Sequence, residues 1–418
     1  MGTKSFQIYF SFLLYWCFPL KPKLLVLTST FPRWANDTDP PFVYELSRRL
    51  TDQFSVVVLT PHYSGAKVYE TLNGMEIYRF RYFFAGFEKL AGQTGILPTL
   101  KKNRLYWLLV PFFLFAQLVY IVFLSCRLRP NLIHAHWLIP QGGVATLVGL
   151  FTGIPVVVTA HGGDVYGFQS WLFSRIKSLV VSQAASVTVV SRSLFNVLVD
   201  QGANRKKIRI IPMGVDGGRF FQTIAASMRK SDYQPELLFV GRLSEKKGVE
   251  YLLRAMPKII AVFPRARLRL VGGGELENEL RQLAEALGVI GSVEFLGALT
   301  NIELPAFYST SDIFIGPSIQ VVGGDTEGFG LTFVEASLSG CLVIGTKVGG
   351  ISDIIKDGET GFLVPERDSE AIAEKVIFAW RNWTDMLNIC HAAQHHCLEK
   401  FDWKIIGRRY AELLKSVA

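Results

Sequence analysis

Short apolar runs alternate with amphipathic stretches along almost the whole chain, and the pattern restarts once after a Pro/Gly-rich break. The first set comprises Lys23–Thr28, Ser55–Leu59, Leu132–Ala135, Pro155–Thr159, Ser186–Val190 and Ile208–Ile211. Runs this short and this apolar suit parallel strands covered by helices on both faces. Pro212-Met213-Gly214-Val215-Asp216-Gly217-Gly218 then reads as a hinge. The alternation resumes with Leu237–Val240, Arg267–Val271, Ser292–Leu296, Ile313–Gly316 and Leu342–Gly345, after a surface loop over Gln222–Gln234. The pattern predicts an α/β chain of two Rossmann-like, doubly wound parallel sheets whose C-terminal strand ends face each other across a cleft. A length of 418 residues is long for one core and sufficient for two. The final stretch, Trp403–Leu414, has helical spacing and no strand left to pair with.

Charge narrows the partners. Lysine and arginine outnumber aspartate and glutamate by 44 to 35, a net charge of +9, and the mean hydropathy is +0.28. A basic surface suits a phosphorylated small molecule or an anionic lipid leaflet. No basic-aromatic strip or nucleic-acid motif accompanies it, so nucleic acid is not expected. The five cysteines are scattered and odd in number, as in reduced cytosolic proteins. Phe6–Leu20 is apolar but has no small-x-small cleavage site before Lys21-Pro22-Lys23, so residues 1–22 read as an interfacial extension or as a start codon placed too early. Leu105–Leu124 is uncharged and flanked by Lys101, Lys102 and Arg104 before it and by Arg127 and Arg129 after it. As a helix it would run about 30 Å, enough to cross a bilayer. Crossing would put Lys23–Thr28 and Asn131–His136, strands of one sheet, on opposite sides of a membrane. The segment is therefore either a buried crossover helix, with Phe113 and Phe115 on the sheet, or a helix lying partly in one leaflet, with those side chains in lipid.

Three clusters carry candidate chemistry. In Asp325-Thr326-Glu327-Gly328-Phe329-Gly330-Leu331, glycines let the backbone approach a ligand, and the apolar run behind them starts a helix whose N–H groups suit a diphosphate. Glu335 lies inside that helix, at most about 12 Å from Glu327, a separation comparable to a nucleotide sugar. A second cluster, Gly241-Arg242-Leu243-Ser244-Glu245-Lys246-Lys247-Gly248, follows a strand and precedes a helix; Arg242 can grip a phosphate bidentately and Lys247 adds a point charge. The third, Thr159-Ala160-His161-Gly162-Gly163-Asp164, puts a histidine at a strand end, where a neutral imidazole can hydrogen-bond a sugar hydroxyl.

Together these segments resemble glycosyltransferase family four, the retaining enzymes of the GT-B fold. The resemblance rests on Glu327 and Glu335 with seven residues between them, on Gly241 to Gly248 and on His161-Gly162. It continues through Val271-Gly272-Gly273-Gly274, Val293-Glu294-Phe295-Leu296-Gly297, Gly349-Gly350-Ile351, Gly358 to Val364 and Ile211 to Asp216, and so covers nearly all of the chain from Lys23. It implies an acceptor-binding domain over 23–216, a nucleotide-sugar domain over 217–400, and a terminal segment, 401–418, that crosses back to the first domain. It also implies roles. His161, Glu327, Arg242 and Lys247 would be catalytic, with Arg242 and Lys247 neutralising the leaving diphosphate. Gly241, Gly297, Gly328, Phe329, Gly330 and Leu331 would line the donor, Phe295 would lie near the base, and Glu335 would hold the ribose. The donor would be a nucleotide-diphosphate sugar and the acceptor a saccharide or lipid-linked hydroxyl, with neither cofactor nor metal, in cell-surface polysaccharide or glycolipid synthesis.

One loop departs from the family's pattern. Phe31-Pro32-Arg33-Trp34-Ala35-Asn36-Asp37-Thr38-Asp39-Pro40-Pro41 is stiffened by prolines where many members are glycine-rich. Acceptor recognition by Arg33 or Trp34 is the substitute reading, joined by His136 and Trp137 at the end of the third strand. Asp37-Thr38-Asp39 and the Cys390, His391, His395, Cys397 group have metal-ligand residue types in contexts that disfavour a metal site. A sugar phosphorylase on the same fold and a catalytically silent, membrane-associated assembly partner are the competing readings. A nicotinamide oxidoreductase is excluded, because no Gly-x-Gly-x-x-Gly follows the first strand.

Overall fold

The computed structural model describes residues 21–418 except 35–36, 38–40, 92–94, 168–169, 223 and 225–233. Residues 1–20, and with them most of the apolar extension, lie outside the described residues, as does most of the Gln222–Gln234 loop.

The first sheet has the order β3-β4-β2-β1-β5-β6-β7-β8. Its strands are β1 (Lys23–Leu27), β2 (Ser55–Pro61), β3 (Tyr69–Leu72), β4 (Met75–Phe80), β5 (Leu132–His136), β6 (Val156–Ala160), β7 (Ser186–Val189) and β8 (Ile208–Ile210). All neighbours pair parallel except β3 with β4. The sequence reading missed this hairpin, although Asn73-Gly74, with φ of 46° and 77°, supplies the two left-handed residues a type I′ turn requires. The second sheet runs β11-β10-β9-β12-β13-β14. Its strands are β9 (Glu236–Val240), β10 (Arg267–Val271), β11 (Val293–Gly297), β12 (Ile313–Gly316), β13 (Leu342–Thr346) and β14 (Phe362–Val364), all parallel. The short β14 was not read from the sequence either.

Strand order reverses between β1 and β5 in the first sheet and between β9 and β12 in the second, and crevices for ligands open at such switch points. His136-Trp137, Gly241-Arg242 and Pro317-Ser318 all leave strands at these two places. Right-handed crossovers put helices of opposite winding direction on opposite faces. The helices Val110–Leu128, Gly143–Thr152 and Trp171–Gln183 therefore form one layer, in which each touches the next. Phe42–Leu50 covers the other face, and Trp403–Lys415 packs against it. The terminal helix is thus seated on the first sheet: the Tyr410 ring lies 5.7 Å from that of His134 on β5.

Val110–Leu128 reconciles both readings of the apolar segment. Phe113, Gln117, Ile121 and Leu124 are buried, and the Phe113 ring meets Phe80 at 5.3 Å and Tyr82 at 5.1 Å. Phe115, two residues on, is 69% exposed. The two phenylalanines, grouped together at the sequence level, face opposite environments. The buried edge fixes this helix to the sheet that also contains β1 and β5.

Candidate active site

The wall supplied by the second sheet is assembled from loops after β9 and β12. Gly248 has φ of 62°, and a Cβ there would lie 2.0 Å from the Pro317 carbonyl oxygen. Glycine alone fits, and the close approach seats Lys247, at the mouth of the helix Val249–Val262, beside the loop leaving β12. There the Lys247 ammonium donates to Oε2 of Glu327, and Ser318 Oγ lies 3.5 Å from the same oxygen. Lys246 and Asp325 form a parallel pair at 3.3 Å. Burial raises the Glu327 carboxyl, but Lys247 and Lys246 outweigh it and hold the group below the usual glutamate value. Arg242 sits half-buried in the loop after β9. Three cations and two carboxylates thus line the loops at the cleft edge of one sheet.

The helix Leu331–Leu338 begins at Gly330, which has φ of 101°. Its first amides have no intrahelical acceptors, so they present positive potential beside Glu327. One turn further in, Glu335 accepts a hydrogen bond from Tyr308 Oη at 2.9 Å. Burial pushes the Glu335 carboxyl up to about 7, against the Tyr308 hydrogen bond and the Arg219 charge. The ribose role that the resemblance implies for Glu335 requires an ionised carboxylate, and a raised value means that charge is lost as pH falls through about 7. Nucleotide affinity, measured by calorimetry between pH 8 and pH 6, is therefore expected to drop by roughly tenfold per unit below the Glu335 value. Glu335→Gln should bind more weakly at pH 8 and lose that slope; a slope unchanged in the variant would assign the effect to another group.

The opposite wall carries His161, directly after β6. Its ring is half-buried, 4.9 Å from both the Phe42 and Trp137 rings, and its Nε2 lies 3.0 Å from Nδ1 of His136. Burial, reinforced by His134, pushes its imidazolium down to about 3, so the ring is neutral at working pH. A neutral ring can donate or accept a hydrogen bond but holds no proton to give as a general acid. Asp164 fixes the loop: its carboxylate accepts from the amides of Leu138 at 2.7 Å, Gly162 at 3.0 Å and His161 at 3.1 Å. Asp164 stood in the sequence motif without a role; three amides converging on one buried carboxylate give it one.

The two walls touch. A Cβ on Gly328 would fall 2.4 Å from the His161 carbonyl oxygen, and one on Gly162 would fall 3.1 Å from the Gly328 Cα. Nearby, the Arg192 amide donates to the Asp353 carboxylate across the same boundary. His161 is thereby brought against the Glu327-Gly328 loop, uniting the first and third sequence clusters.

Several assignments change. His136 has no solvent exposure; it lies behind His161, so it cannot touch an acceptor directly. Arg33 is also buried: its guanidinium lies 4.7 Å from the Trp34 ring and 4.8 Å from the Tyr63 ring, and it pairs with Asp37. Trp34, at 47% exposure, and half-buried Trp137 remain accessible. The Phe295 ring is packed under Arg281 at 4.3 Å, on the flank of the sheet, leaving Gly297 at the strand end nearer the cleft. Phe329 is buried edge-on to Phe401 at 5.4 Å, so its side chain anchors the loop rather than lining the donor, whereas half-buried Leu331 opens the helix. Asp37 is engaged by Arg33, and Asp39 lies outside the described residues. In the other metal-like group, Cys390 and Cys397 point into the core while His391 and His395 are exposed, so the four do not converge. Tyr308 and Ser318, the partners of the two glutamates, left no signal in the sequence because their roles arise only from packing.

Residues 41–219 match the family described as Glycosyltransferase Family 4, and residues 220–396 match Glycosyl transferases group 1. A similar protein is the GDP-mannose-dependent alpha-(1-6)-phosphatidylinositol monomannoside mannosyltransferase of Mycolicibacterium smegmatis, 29% identical over 267 residues, which are 62% of this chain and 70% of the relative. Among solved structures, sucrose-phosphate synthase from Thermosynechococcus elongatus superposes with a TM-score of 0.75 at 21% identity, covering 94% of this chain and 98% of that one. The Anabaena HepE protein in complex with UDP gives 0.72 at 20% identity, covering 94% and 100%. Two doubly wound sheets facing a cleft, the joined glutamate and histidine loops and the two family matches lead to one assignment: the chain belongs to glycosyltransferase family four and has the GT-B fold.

Proposed function

We propose that this glycosyltransferase moves a sugar, with retention of configuration and without a metal, from a nucleotide-diphosphate sugar to a hydroxyl of a lipid-linked or saccharide acceptor. The observation that carries the reading is the contact between Lys247 and Glu327 directly beneath the His161-Gly162 loop. In this reading the nucleotide ribose hydrogen-bonds Glu335, and the diphosphate lies between Arg242, Lys247 and the amides at Gly330–Leu331. Glu327 and neutral His161 hold hydroxyls of the donor sugar from opposite walls. As the bond from the anomeric carbon to the phosphate oxygen breaks, negative charge grows on the diphosphate, where the cations and the helix end stabilise it. The acceptor oxygen bonds to the anomeric carbon on the face the phosphate leaves, and its proton passes to a phosphate oxygen. The protein's share of catalysis is charge stabilisation and positioning.

The named activity of the Mycolicibacterium relative makes GDP-mannose a first donor to try, beside UDP-glucose. It also supports a polysaccharide or glycolipid product. Nucleotide sugars are made in the cytosol, which supports a cytoplasmic site of action, peripheral on the membrane face. A panel of nucleotide sugars screened by thermal shift should stabilise the protein with one donor class. With that donor, NMR of the product is expected to show the donor's anomeric configuration, and turnover in excess EDTA should match that without it. An inverted product, or activity lost to EDTA and restored by Mn²⁺, would overturn the mechanism.

A further inference from the structure

The helical layer Val110–Leu128, Gly143–Thr152 and Trp171–Gln183 is the outermost covering of one face of the first sheet, and its solvent side is apolar. Phe112 is 52% exposed and Phe115 69% on the first helix, Leu150 60% and Phe151 85% on the second, and Trp171 72% on the third. Soluble surfaces scatter such side chains singly; a set recurring on all three helices of one layer marks an interaction face. Charge says what the face meets. Between Glu88 and Asp200 the sequence contains one acidic residue, the buried Asp164, while lysines and arginines cluster at both ends of the first helix and again on the third. Lys102, Arg104, Arg127, Arg129 and Arg175 are exposed around the apolar area. A second copy of this chain would bring the same basic residues against them, whereas an anionic leaflet neutralises them as the apolar centre enters the acyl boundary.

We infer that these three helices together form a monolayer-inserting footprint for anionic lipid, holding the catalytic cleft at the membrane surface. The inference rests on the membrane-facing acceptor proposed above and extends it from one apolar segment to a defined surface. Each helix of the layer follows a strand, so its N-terminal end lies at the C-terminal strand ends, where the cleft opens. Leu108, Phe112 and Trp171 therefore stand at the cleft rim, and Phe151 and Leu179 at the far end. The inserted surface begins where an acceptor must enter, so a lipid-linked hydroxyl can reach the cleft without leaving the bilayer.

The test uses the full chain and sedimented or floated vesicles. Phosphatidylcholine vesicles with about a third phosphatidylglycerol should bind it, pure phosphatidylcholine vesicles should bind it far less, and high salt should release much of it. A Phe112→Ser/Phe115→Ser/Phe151→Ser variant should lose roughly 100-fold or more in vesicle partitioning, since each aromatic contributes roughly tenfold when buried. Its melting temperature should stay close to that of the parent, because Phe115 and Phe151 face solvent and Phe112 gives up only an edge contact with Phe83; Phe113→Ser, on the buried edge, should unfold the domain instead. Should the triple variant melt early, Arg104→Glu/Arg127→Glu supplies the same readout through charge. Wild-type partitioning in these variants, no preference for anionic vesicles, or a stable dimer in buffer that the triple variant dissociates would overturn the footprint. Donor binding and donor hydrolysis, followed in the same samples, separate the two ideas: intact donor chemistry with no vesicle binding removes only the footprint, and absent donor chemistry removes the proposed reaction.

Discussion

Lys247→Ala should lower kcat/KM by about 10² or more, the largest effect expected of any single side chain here, since a charged partner on a leaving phosphate in a closed site is worth about 3 kcal/mol. Two losses add. The variant removes a cation from the place where charge develops on the departing diphosphate, and it leaves the Glu327 carboxylate, now held by Lys247, without its partner. An uncompensated carboxylate beside the same diphosphate repels it, so donor binding should weaken together with turnover. Arg242→Ala should reach a similar loss by another route, weakening the grip on phosphate without disturbing Glu327. Steady-state kinetics with the donor identified by thermal shift would check both. Wild-type turnover in the two variants would remove the phosphate assignment altogether.

Gly328→Ala should produce a different signature: turnover reduced by about 10² with donor affinity changed only a few-fold, because a misplacement of about 1 Å in the reacting geometry carries a penalty of that size. The added methyl would sit 2.4 Å from the His161 carbonyl oxygen. Its neighbour is backbone, not the far end of a flexible side chain, so the two walls must separate to admit it. In the proposed reaction the phosphate and ribose contacts belong to the wall that carries Glu335, Arg242 and Lys247 and should survive the separation, whereas the reach of His161 to the donor sugar should not. Small-angle scattering should show a more open molecule in the variant. Normal turnover would mean that the closed contact is not the reacting arrangement.

Central parallel strands are buried on both faces, so β1, β2, β5 to β7, β9, β10, β12 and β13 announce themselves as apolar runs, and the edge strands β8 and β11 follow from their place in the same alternation. Tyr69–Leu72 and Met75–Phe80 alternate polar with apolar residues at the sheet's edge, and without the weight of Asn73-Gly74 they vanish among loops. Glu327 and Lys247 were legible because glycines flank them and strands precede them, features written locally. The misread residues share one cause. His136, which strand alternation puts on the same face as His134, is covered by His161 from the neighbouring strand end, and His134 by Tyr410 from a helix far along the chain. Depth is a tertiary property, and periodicity gives direction without depth.

The polypeptide passes between the two sheets twice, at adjoining points. The Val215 amide donates to the Phe401 carbonyl oxygen at 2.8 Å, and the Trp403 amide to the Val215 carbonyl oxygen at 3.0 Å. Gly214 lies against the Trp403 indole so closely that a Cβ would meet it at 2.4 Å. Topologically, the β9–β14 unit is an insertion within the unit that begins at β1 and finishes with Trp403–Lys415. A chimera that trades donor preference between relatives must therefore be cut at both Val215 and Asp402. A single splice at the first crossing would import a foreign terminal helix onto the first sheet and would mix two changes in one hybrid.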